Sequence, residues 1–336
     1  MTRVAVVGAT GAVGTTMVQV LAERSFPVAE LRLLASARSA GTAVTTPWGE
    51  VTVEELDGAD PAGIDIALFS AGATRSREHA PRFAAAGAVV VDNSSAFRMI
   101  PDVPLVVAGV NDGAVATHQG IIANPNCTTM VLMMAVAPLH RAARLRRLVA
   151  TTYQSVSGAG KTGMDVLADE IGLLSADPAA LAAGGWVDPG GSLYPRPIGF
   201  NVIPHAGPFT EAGYTEEEWK LVNETRKILN DGDIAVEPTC VRVPVMVGHG
   251  ISATMEFAAP LDGDEARQHL ATAPGIALWS DDKVPTPLDC AGRDEVLVGR
   301  VRGTLGGGGG ISLWAVGDNL RKGAALNAVQ LAELLV

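Results

Sequence analysis

The sequence has little of what marks secreted, membrane-spanning or nucleic-acid-binding proteins. Aromatic residues make up 4% of its 336 residues, and it has three cysteines, Cys127, Cys240 and Cys290. Their odd number and wide spacing argue against a disulfide framework and a zinc site, so we expect no metal. No apolar run approaches the roughly 18 residues of a membrane helix. Basic residues number 25 against 36 acidic ones, and the net charge of −11 argues against nucleic acid or an anionic membrane as partner.

Length and the amino-terminal segment favour an intracellular protein of two domains. A chain of 336 residues with 48% apolar content can bury two cores of ordinary size. The start MTRVAVVGATGAVG lacks the layout of a signal peptide, because its short apolar run meets glycines at once. With so few cysteines, we expect the protein to work in the reducing cytoplasm.

Residues 1–126 alternate short β-branched runs with alanine-rich helical stretches. This alternation, with continuously apolar strands, is typical of a parallel sheet covered on both faces, and it predicts an α/β domain. The strands are predicted at residues 4–7, 31–35, 64–70, 88–92, 105–107 and 121–123, and the helices at 14–23 and 75–86.

A different pattern follows, and it predicts a second, α+β domain over residues 127–315. A helix at 128–144 leads into alternating strands at 147–155, 234–244 and 251–257, and a second helix at 215–229 lies between the first two of these strands. Residues 316–336 predict a helix that returns to the first domain, with an inward face formed by Leu320, Ala324, Ala328 and Leu331.

The first strand and first helix are joined by a glycine-rich turn, Gly8-Ala9-Thr10-Gly11-Ala12-Val13-Gly14. Glycines at this spacing allow a tight turn, and the N–H groups at the helix N-terminus can then bind a pyrophosphate. The context predicts a Rossmann-type dinucleotide site. The alternative is a glycine-rich turn needed only for close helix–strand packing.

The end of the second predicted strand indicates which dinucleotide is bound. A protein that reads the ribose 2′-hydroxyl of NAD places Asp or Glu there. This chain has Ala35-Ser36-Ala37-Arg38-Ser39, a guanidinium flanked by hydroxyl groups. That set suits a 2′-phosphate and favours NADP(H), although Arg38 could also be a solvated loop residue.

Cys127 lies in the segment Asn124-Pro125-Asn126-Cys127 and precedes a predicted helix. The helix dipole there stabilises a thiolate and makes the cysteine a usable nucleophile. A single cysteine is often only a small buried apolar residue, so a partner base matters. His249 is flanked by Gly248 and Gly250, which would expose its imidazole to a substrate.

Several blocks of the chain resemble the aspartate-β-semialdehyde dehydrogenase family, in the family's order and nearly end to end. They are residues 8–14, DNSSAFR at 92–98, NPNCT at 124–128, YQSVSGAG at 153–160, FNVIPH at 200–205, NETRK at 223–227, CVRVPV at 240–245, Gly248-His249, and DNLRKGAA at 318–325.

The resemblance implies a reaction in which β-aspartyl phosphate is reduced to an aldehyde with NADPH and phosphate is released. By similarity Cys127 attacks the acyl carbon and forms a thioester, and His249 is the general acid/base. Gln154 orients the intermediate, and Asn126 lies next to the nucleophile in the substrate site. This is an amino-acid biosynthetic activity, on the routes to lysine and diaminopimelate, methionine and threonine.

The resemblance also implies how the substrate and cofactor are held. Arg242 binds the α-carboxylate, Glu217 meets the α-amino group, and Lys220 and Arg98 bind the phosphate. Without the resemblance, Glu217 and Lys220 are equally an ordinary surface ion pair. The implied cofactor residues are Gly8, Thr10, Gly11, Ala12 and Val13 at the pyrophosphate, Ser36, Arg38 and Ser39 at the 2′-phosphate, and Ser157, Gly158 and Asn319 at the nicotinamide half.

Three departures from the family pattern and three alternatives stay open. The departures are the glycine-rich segments 184–192 and 306–310, and Gly250 where alanine or a small polar residue is expected. The alternatives are N-acetyl-γ-glutamyl-phosphate reductase, disfavoured by the placement of Glu217, a paralogue in a specialised pathway, and a non-catalytic NADP-binding paralogue. A homodimer or homotetramer is implied, and the sequence does not decide between them.

Overall fold

The computed structural model describes residues 1–190, 193–306 and 308–336. The chain forms two units. The first comprises residues 1–138, 223–232 and 320–336, and the second comprises 139–222 and 233–319. Gly191, Ser192 and Gly307, which fall in the two glycine-rich segments, lie outside the described residues.

The first unit contains a seven-stranded sheet in the order β3-β4-β2-β1-β5-β6-β7. Neighbouring strands pair in parallel except for β3 and β4, which form an antiparallel hairpin at one edge. The predicted parallel α/β sheet is therefore confirmed. Its strands are β1 (Thr2–Val7), β2 (Val28–Ala35), β3 (Ala43–Thr46), β4 (Gly49–Glu55), β5 (Ile66–Phe69), β6 (Val89–Asp92) and β7 (Ile121–Ala123).

Helices cover this sheet, and one of them comes from the end of the chain. The helices of this unit are α1 (Ala12–Glu23), α2 (Ala73–Ala85), the start of α3 (Cys127–Ala143) and α9 (Leu326–Glu333). α9 contacts α1, β5 and β6, and its Ala328 and Leu331 are fully buried as predicted. The carboxy-terminal helix thus returns to the first sheet, and its first turn, Arg321–Ala325, is π-helical and runs directly into α9.

The second unit contains a six-stranded mixed sheet in the order β11-β12-β13-β10-β8-β9. Its antiparallel centre pairs Gly250 of β10 with Tyr153 of β8 and with Val316 of β13. The strands are β8 (Leu145–Gln154), β9 (Ala235–Arg242), β10 (His249–Phe257), β11 (Ile276–Leu278), β12 (Val296–Gly303) and β13 (Ile311–Gly317). The helices are α4 (Gly160–Leu174), α5 (Pro178–Ala183), α6 (Glu216–Leu229), α7 (Gly263–Ala271) and α8 (Pro287–Cys290), of which α6 ends in the first unit.

One predicted strand, residues 105–107, is wrong. Only Leu105 forms a β-bridge, to Ala123. The side chain of Asn111 takes the neighbouring backbone bonds, because its Oδ1 accepts from Val107 N at 2.9 Å and its Nδ2 donates to the Leu105 carbonyl at 3.0 Å. The segment is apolar and buried, but the Asn111 side chain binds backbone groups that a neighbouring strand would otherwise bind.

Candidate functional site

A cavity of about 270 Å³ opens where β1 and β2 end in the first unit. α1 begins beside it with Gly11 as N-cap, without a side-chain cap or an acidic residue in its first turn. The free N–H groups and the helix dipole therefore favour an anion there. The lining residues are Gly8, Thr10, Gly11, Ala35, Ser36, Leu56, Ser70, Ala71 and Arg75.

The three glycines of the turn serve two purposes. A Cβ on Gly8 would lie 2.2 Å from the Ser70 carbonyl oxygen, and one on Gly14 would lie 2.2 Å from the Gly8 carbonyl oxygen. These two are needed for close approach of strand, helix and neighbouring loop. A Cβ on Gly11 would meet only the Gly8 oxygen, at 3.4 Å. Gly11 thus leaves space beside the helix N-terminus, and the residues present fit a pyrophosphate.

The end of β2 carries the residues predicted to select the cofactor. Arg38 and Ser36 are exposed, and Ser39 accepts a hydrogen bond from Thr10 Oγ1 at 3.3 Å. Residues 35–41 contain no carboxylate. Ala12 and Val13 form the first turn of α1. The sequence prediction missed Arg75, which lines the cavity, although its place one turn into a helix that follows a buried strand was a signal for it.

Cys127 is the first residue of α3 and is half-buried. Asn126 caps this helix, because its Oδ1 accepts hydrogen bonds from Thr128 N at 2.9 Å and from Thr129 N at 3.3 Å. The thiol therefore lies at the positive end of the helix dipole, where a thiolate is favoured.

A buried ion pair supports the segment before Cys127. Glu224 of α6 binds Arg98 Nη1 at 3.0 Å and accepts from the Asn126 backbone N–H at 2.7 Å. Arg98 also donates to the backbone carbonyls of Asn124 and Asn93, at 2.9 and 3.0 Å. Three of the five N–H donors of Arg98 are used in this way among the described residues. Sequence reasoning gave Glu224 no role, although it lies in the NETRK block.

In the second unit His249 begins β10 and is fully buried, so the expectation that Gly248 and Gly250 expose its imidazole is wrong. The backbone N–H of Ser155, the residue after β8, donates to His249 Nδ1 at 3.1 Å. Burial first and the nearby Arg242 second lower the pKa of His249 to about 3, with smaller opposing contributions from Glu217 and the Gly248 backbone. The imidazole is therefore neutral at physiological pH.

Arg242 and His249 both face Gly158, the exposed residue that follows Ser157. A Cβ on Gly158 would lie 3.0 Å from Arg242 Nη1 and 3.8 Å from His249 Nε2. Arg242 ends β9, and its Nη1 also lies 3.3 Å from the Ser155 carbonyl oxygen. A bare backbone at Gly158 therefore leaves room where a guanidinium and an imidazole nitrogen converge.

Gln154, Glu217 and Lys220 form a second group in this unit. Glu217 lies 3.5 Å from Gln154 Nε2 through one carboxylate oxygen and 3.1 Å from Lys220 Nζ through the other. Gln154 is fully buried, and its Oε1 has no hydrogen-bond partner among the described residues. A buried acceptor of this kind is costly unless a ligand or water supplies a donor.

Asn319 and Ser157 are also brought together, because Asn319 Nδ2 donates to Ser157 Oγ at 2.9 Å. Across the described part of the chain, no cluster of three or more His, Cys, Asp or Glu residues could hold a metal ion. Among the same residues, none of the helices is both long and apolar enough to cross a membrane.

Two family models that together cover most of the chain define its class as the semialdehyde dehydrogenases. The family model described as "Semialdehyde dehydrogenase, NAD binding domain" matches residues 3–118, and that described as "Semialdehyde dehydrogenase, dimerisation domain" matches residues 136–322. The chain is therefore an oxidoreductase with a nicotinamide-nucleotide domain and a domain of the dimerisation type.

Full-length relatives identify the particular family. The chain is 48% identical to the aspartate-semialdehyde dehydrogenase of Synechocystis sp. over 99% of this chain and 97% of that protein. It is 51% identical to the Streptomyces akiyoshiensis enzyme, over 99% and 98%. The structure of Vibrio cholerae aspartate semialdehyde dehydrogenase II complexed with ASA matches with a TM-score of 0.94 and 47% identity, over 100% and 98%. The chain belongs to the aspartate-semialdehyde dehydrogenase family.

Proposed function

We propose that the chain reduces L-4-aspartyl phosphate to L-aspartate 4-semialdehyde with NADPH, releasing phosphate. The reaction serves synthesis of lysine and diaminopimelate, methionine and threonine. The observation that carries the proposal is Cys127 at the N-terminus of α3, half-buried and with Asn126 as the helix cap. Two relatives that are 48% and 51% identical to the chain are both named aspartate-semialdehyde dehydrogenase.

Cys127 is the proposed nucleophile. Its thiolate attacks the acyl carbon of aspartyl phosphate, the C–O bond to phosphate breaks, and a thioester forms on Sγ. The bound nicotinamide cofactor supplies the hydride that reduces this thioester. The C–S bond then breaks, which releases the aldehyde and returns the thiolate. We place His249 at the oxygen of the reacting carbonyl, to which its imidazole donates a hydrogen bond.

The charged side chains are proposed to bind the two ends of the substrate. Arg242, for which the described part of the chain offers no salt bridge to a carboxylate, holds the α-carboxylate, and Glu217 meets the α-amino group. Lys220 and Arg98 bind the phosphate, Arg98 with its two remaining N–H donors. Gln154 Oε1 accepts from the substrate, and Asn126 fixes the direction of the thiol.

We infer that the cofactor is NADP(H). Arg38, Ser36 and Ser39 offer charge and hydroxyl groups to a 2′-phosphate at the end of β2, where a carboxylate would repel it. Gly8, Thr10, Gly11, Ala12 and Val13 are assigned to the pyrophosphate, and Ser157, Gly158 and Asn319 to the nicotinamide half.

The proposed organisation follows from these assignments. Residues 1–126 bind NADP, residues 127–315 carry catalysis and self-association, and residues 316–336 complete the first sheet's cover. The match of residues 136–322 to a dimerisation domain supports a homodimer or homotetramer. Three free cysteines are consistent with work in a reducing cytoplasm.

The reverse reaction tests the proposal directly. Aspartate semialdehyde, phosphate and NADP⁺ are expected to give phosphate-dependent formation of NADPH, with N-acetylglutamate semialdehyde and NAD⁺ as comparison substrates. Cys127→Ala is expected to abolish turnover and keep NADPH binding, whereas Cys240→Ala, which removes a buried thiol from β9, keeps most activity. Turnover of N-acetylglutamate semialdehyde alone would reassign the substrate. A normal rate in Cys127→Ala would reject the thioester route.

A further inference from the structure

The imidazole of His249 accepts a hydrogen bond from a group that can act only as a donor. The Ser155 backbone N–H points at Nδ1 over 3.1 Å, and a backbone N–H can only donate. A neutral imidazole nitrogen that accepts a hydrogen bond carries no proton of its own, so the proton must lie on Nε2. The Ser155 hydroxyl also lies 3.1 Å from Nδ1, but it donates its one hydrogen to Asn319 Oδ1 at 3.0 Å and so gives none to Nδ1. The backbone group therefore decides the tautomer.

Asn319 fixes the position of that backbone group. Its Oδ1 accepts from Ser155 Oγ at 3.0 Å, from Ser157 Oγ at 3.1 Å and from the Gly248 backbone N–H at 2.9 Å. One amide oxygen thus joins the segment after β8 to the residue before His249. All these side chains are at most 2% exposed. This set of bonds from the Asn319 carboxamide to the two segments is the clamp.

The charged and titratable groups around the ring agree with a neutral histidine. Arg242 at the end of β9 faces the ring and opposes a second positive charge, and Glu217 of α6 acts in the opposite sense. Cys290 lies against Gly248, where a Cβ would be 2.8 Å from its Sγ, and burial with Asp318 raises the pKa of this thiol to about 12. The Cys290 thiol is therefore neutral and adds no charge beside the imidazole.

We propose that Ser155 and Asn319 are positioning residues that hold His249 as the neutral Nε2–H tautomer, so that His249 serves the reaction as a hydrogen-bond donor to the oxygen of the reacting carbonyl. The role of His249 in turnover rests on the proposed function, whereas the assignment of its tautomer does not depend on that function. Nε2 is on the edge of the ring that faces the exposed, side-chain-free Gly158.

The donor role balances without proton transfer through the ring. The Cys127 thiolate adds to the acyl carbon, and the carbonyl oxygen becomes an oxyanion that accepts from Nε2–H. The oxyanion reverts to a carbonyl as phosphate leaves. The same oxygen becomes negative again when the thioester is reduced, and it reverts as the thiolate leaves. Released phosphate takes any proton it needs from water. A neutral Nε2–H group can donate a hydrogen bond to the oxyanion in both steps, whereas an unprotonated Nε2 can donate in neither.

Ring nitrogen chemical shifts test the tautomer without any reference to activity. The full-length protein is labelled with ¹⁵N-histidine, and long-range ¹H–¹⁵N spectra are recorded from pH 5 to 8. His249→Asn identifies the His249 signals among the six histidines. We expect a protonated Nε2 and an unprotonated Nδ1 throughout this range. A protonated Nδ1, or an imidazolium at pH 7, would overturn the proposal.

Two variants test the clamp. Asn319→Asp places a carboxylate against the Ser155 hydroxyl and is expected to raise the pH at which His249 takes up a proton, which a purely structural role would not do. Ser155→Ala is expected to lower kcat roughly 10-fold or more with little change in KM. Ser175→Ala, an exposed serine at the end of α4, is the matched control.

The outcomes separate this proposal from the proposed function. An unchanged His249 titration in Asn319→Asp would reject the clamp, even in an active enzyme. Absence of turnover in the wild-type protein, with the Nε2–H tautomer present in the spectra, would reject the proposed reaction and leave the clamp in place.

Discussion

Trp314 of β13 lies directly against Gly250 of β10, the residue after His249. A Cβ built on Gly250 would be 2.4 Å from Trp314 Cζ2. The indole is fixed on its other sides, because its ring centroid is 5.5 Å from that of Tyr153 and its Nε1 donates to the Pro285 carbonyl at 2.9 Å. This contact explains why the chain has glycine at position 250, where no side chain fits against the indole.

Gly250→Ala is expected to destabilise the protein by about 1–3 kcal/mol, because the new methyl group must displace the indole or the strand. Urea-induced unfolding measures the loss. Gly303→Ala is the matched control, since Gly303 also lies in a strand and a Cβ there would meet nothing within 4 Å. In a Trp314→Leu background the same Gly250→Ala change is expected to cost less. Equal costs in both backgrounds would show that the indole is not the obstacle.

The three thiols are expected to differ in reactivity. Burial raises the pKa of Cys240 and of Cys290 to about 12, so neither forms a thiolate near neutral pH. Cys127 lies half-buried at a helix N-terminus. Iodoacetamide at pH 7.5 should therefore alkylate Cys127 first, as measured by peptide mass spectrometry. Urea should make all three react. Early labelling of Cys240 or Cys290 in the folded protein would contradict the argument.

Arg38→Ala is expected to weaken NADPH binding about 10- to 100-fold and leave NADH binding nearly unchanged, because the lost charge-assisted hydrogen bonds go only to the 2′-phosphate. Fluorescence titration with each cofactor measures both affinities. Arg77→Ala, an exposed arginine on α2, is the control for loss of one positive charge. Equal losses for the two cofactors would place Arg38 elsewhere than at the 2′-phosphate.

His249 is expected to reduce stability as the pH falls. Its pKa is about 3 in the folded protein and 6.5 ordinarily, so between these values the unfolded chain binds a proton that the folded chain does not. The free energy of unfolding should therefore drop as the pH falls below about 6.5, by up to about 1.4 kcal/mol per pH unit.

A comparison of variants isolates this contribution. Between pH 6.5 and 4, His249→Asn should lose less stability than the wild-type protein in urea unfolding. His269→Asn, at an exposed position on α7, should follow the wild-type protein. Identical slopes for all three proteins would mean that the folded protein protonates His249 readily.

The first sheet was predictable where apolar periodicity is strong, as in β1, β2, β5 and α1. The β3–β4 hairpin was missed because its strands lie at the sheet edge, are largely exposed and have no apolar run. α4 was missed because Gly163 and Gly172 lower its helix propensity. The structure accounts for Gly163, since a Cβ there would be 2.3 Å from the Val156 carbonyl oxygen.

The sequence predicts which residues form the candidate site, but it does not predict the contacts between them. Cys127, His249 and Arg98 lie in blocks that carry the family resemblance, and the glycine-rich turn has a clear strand–helix context. The bond from Ser155 to His249 joins residues 94 positions apart, and that from Glu224 to Asn126 joins residues 98 positions apart. Such pairings depend on the register of two strands and on the path of α6, which no local pattern encodes.

The first unit is built from three separate parts of the chain, and the last of them is residues 320–336. Within it Lys322 and Asn327 are buried, and Asn327 binds the Asn124 side chain at 2.6 Å and the Val106 carbonyl at 3.0 Å. Until residues 320–336 have been synthesised, the first sheet lacks α9, and the bond from Asn327 to Asn124 cannot form. A product that stops before residue 320 therefore lacks both this cover and the support for the segment that leads to Cys127.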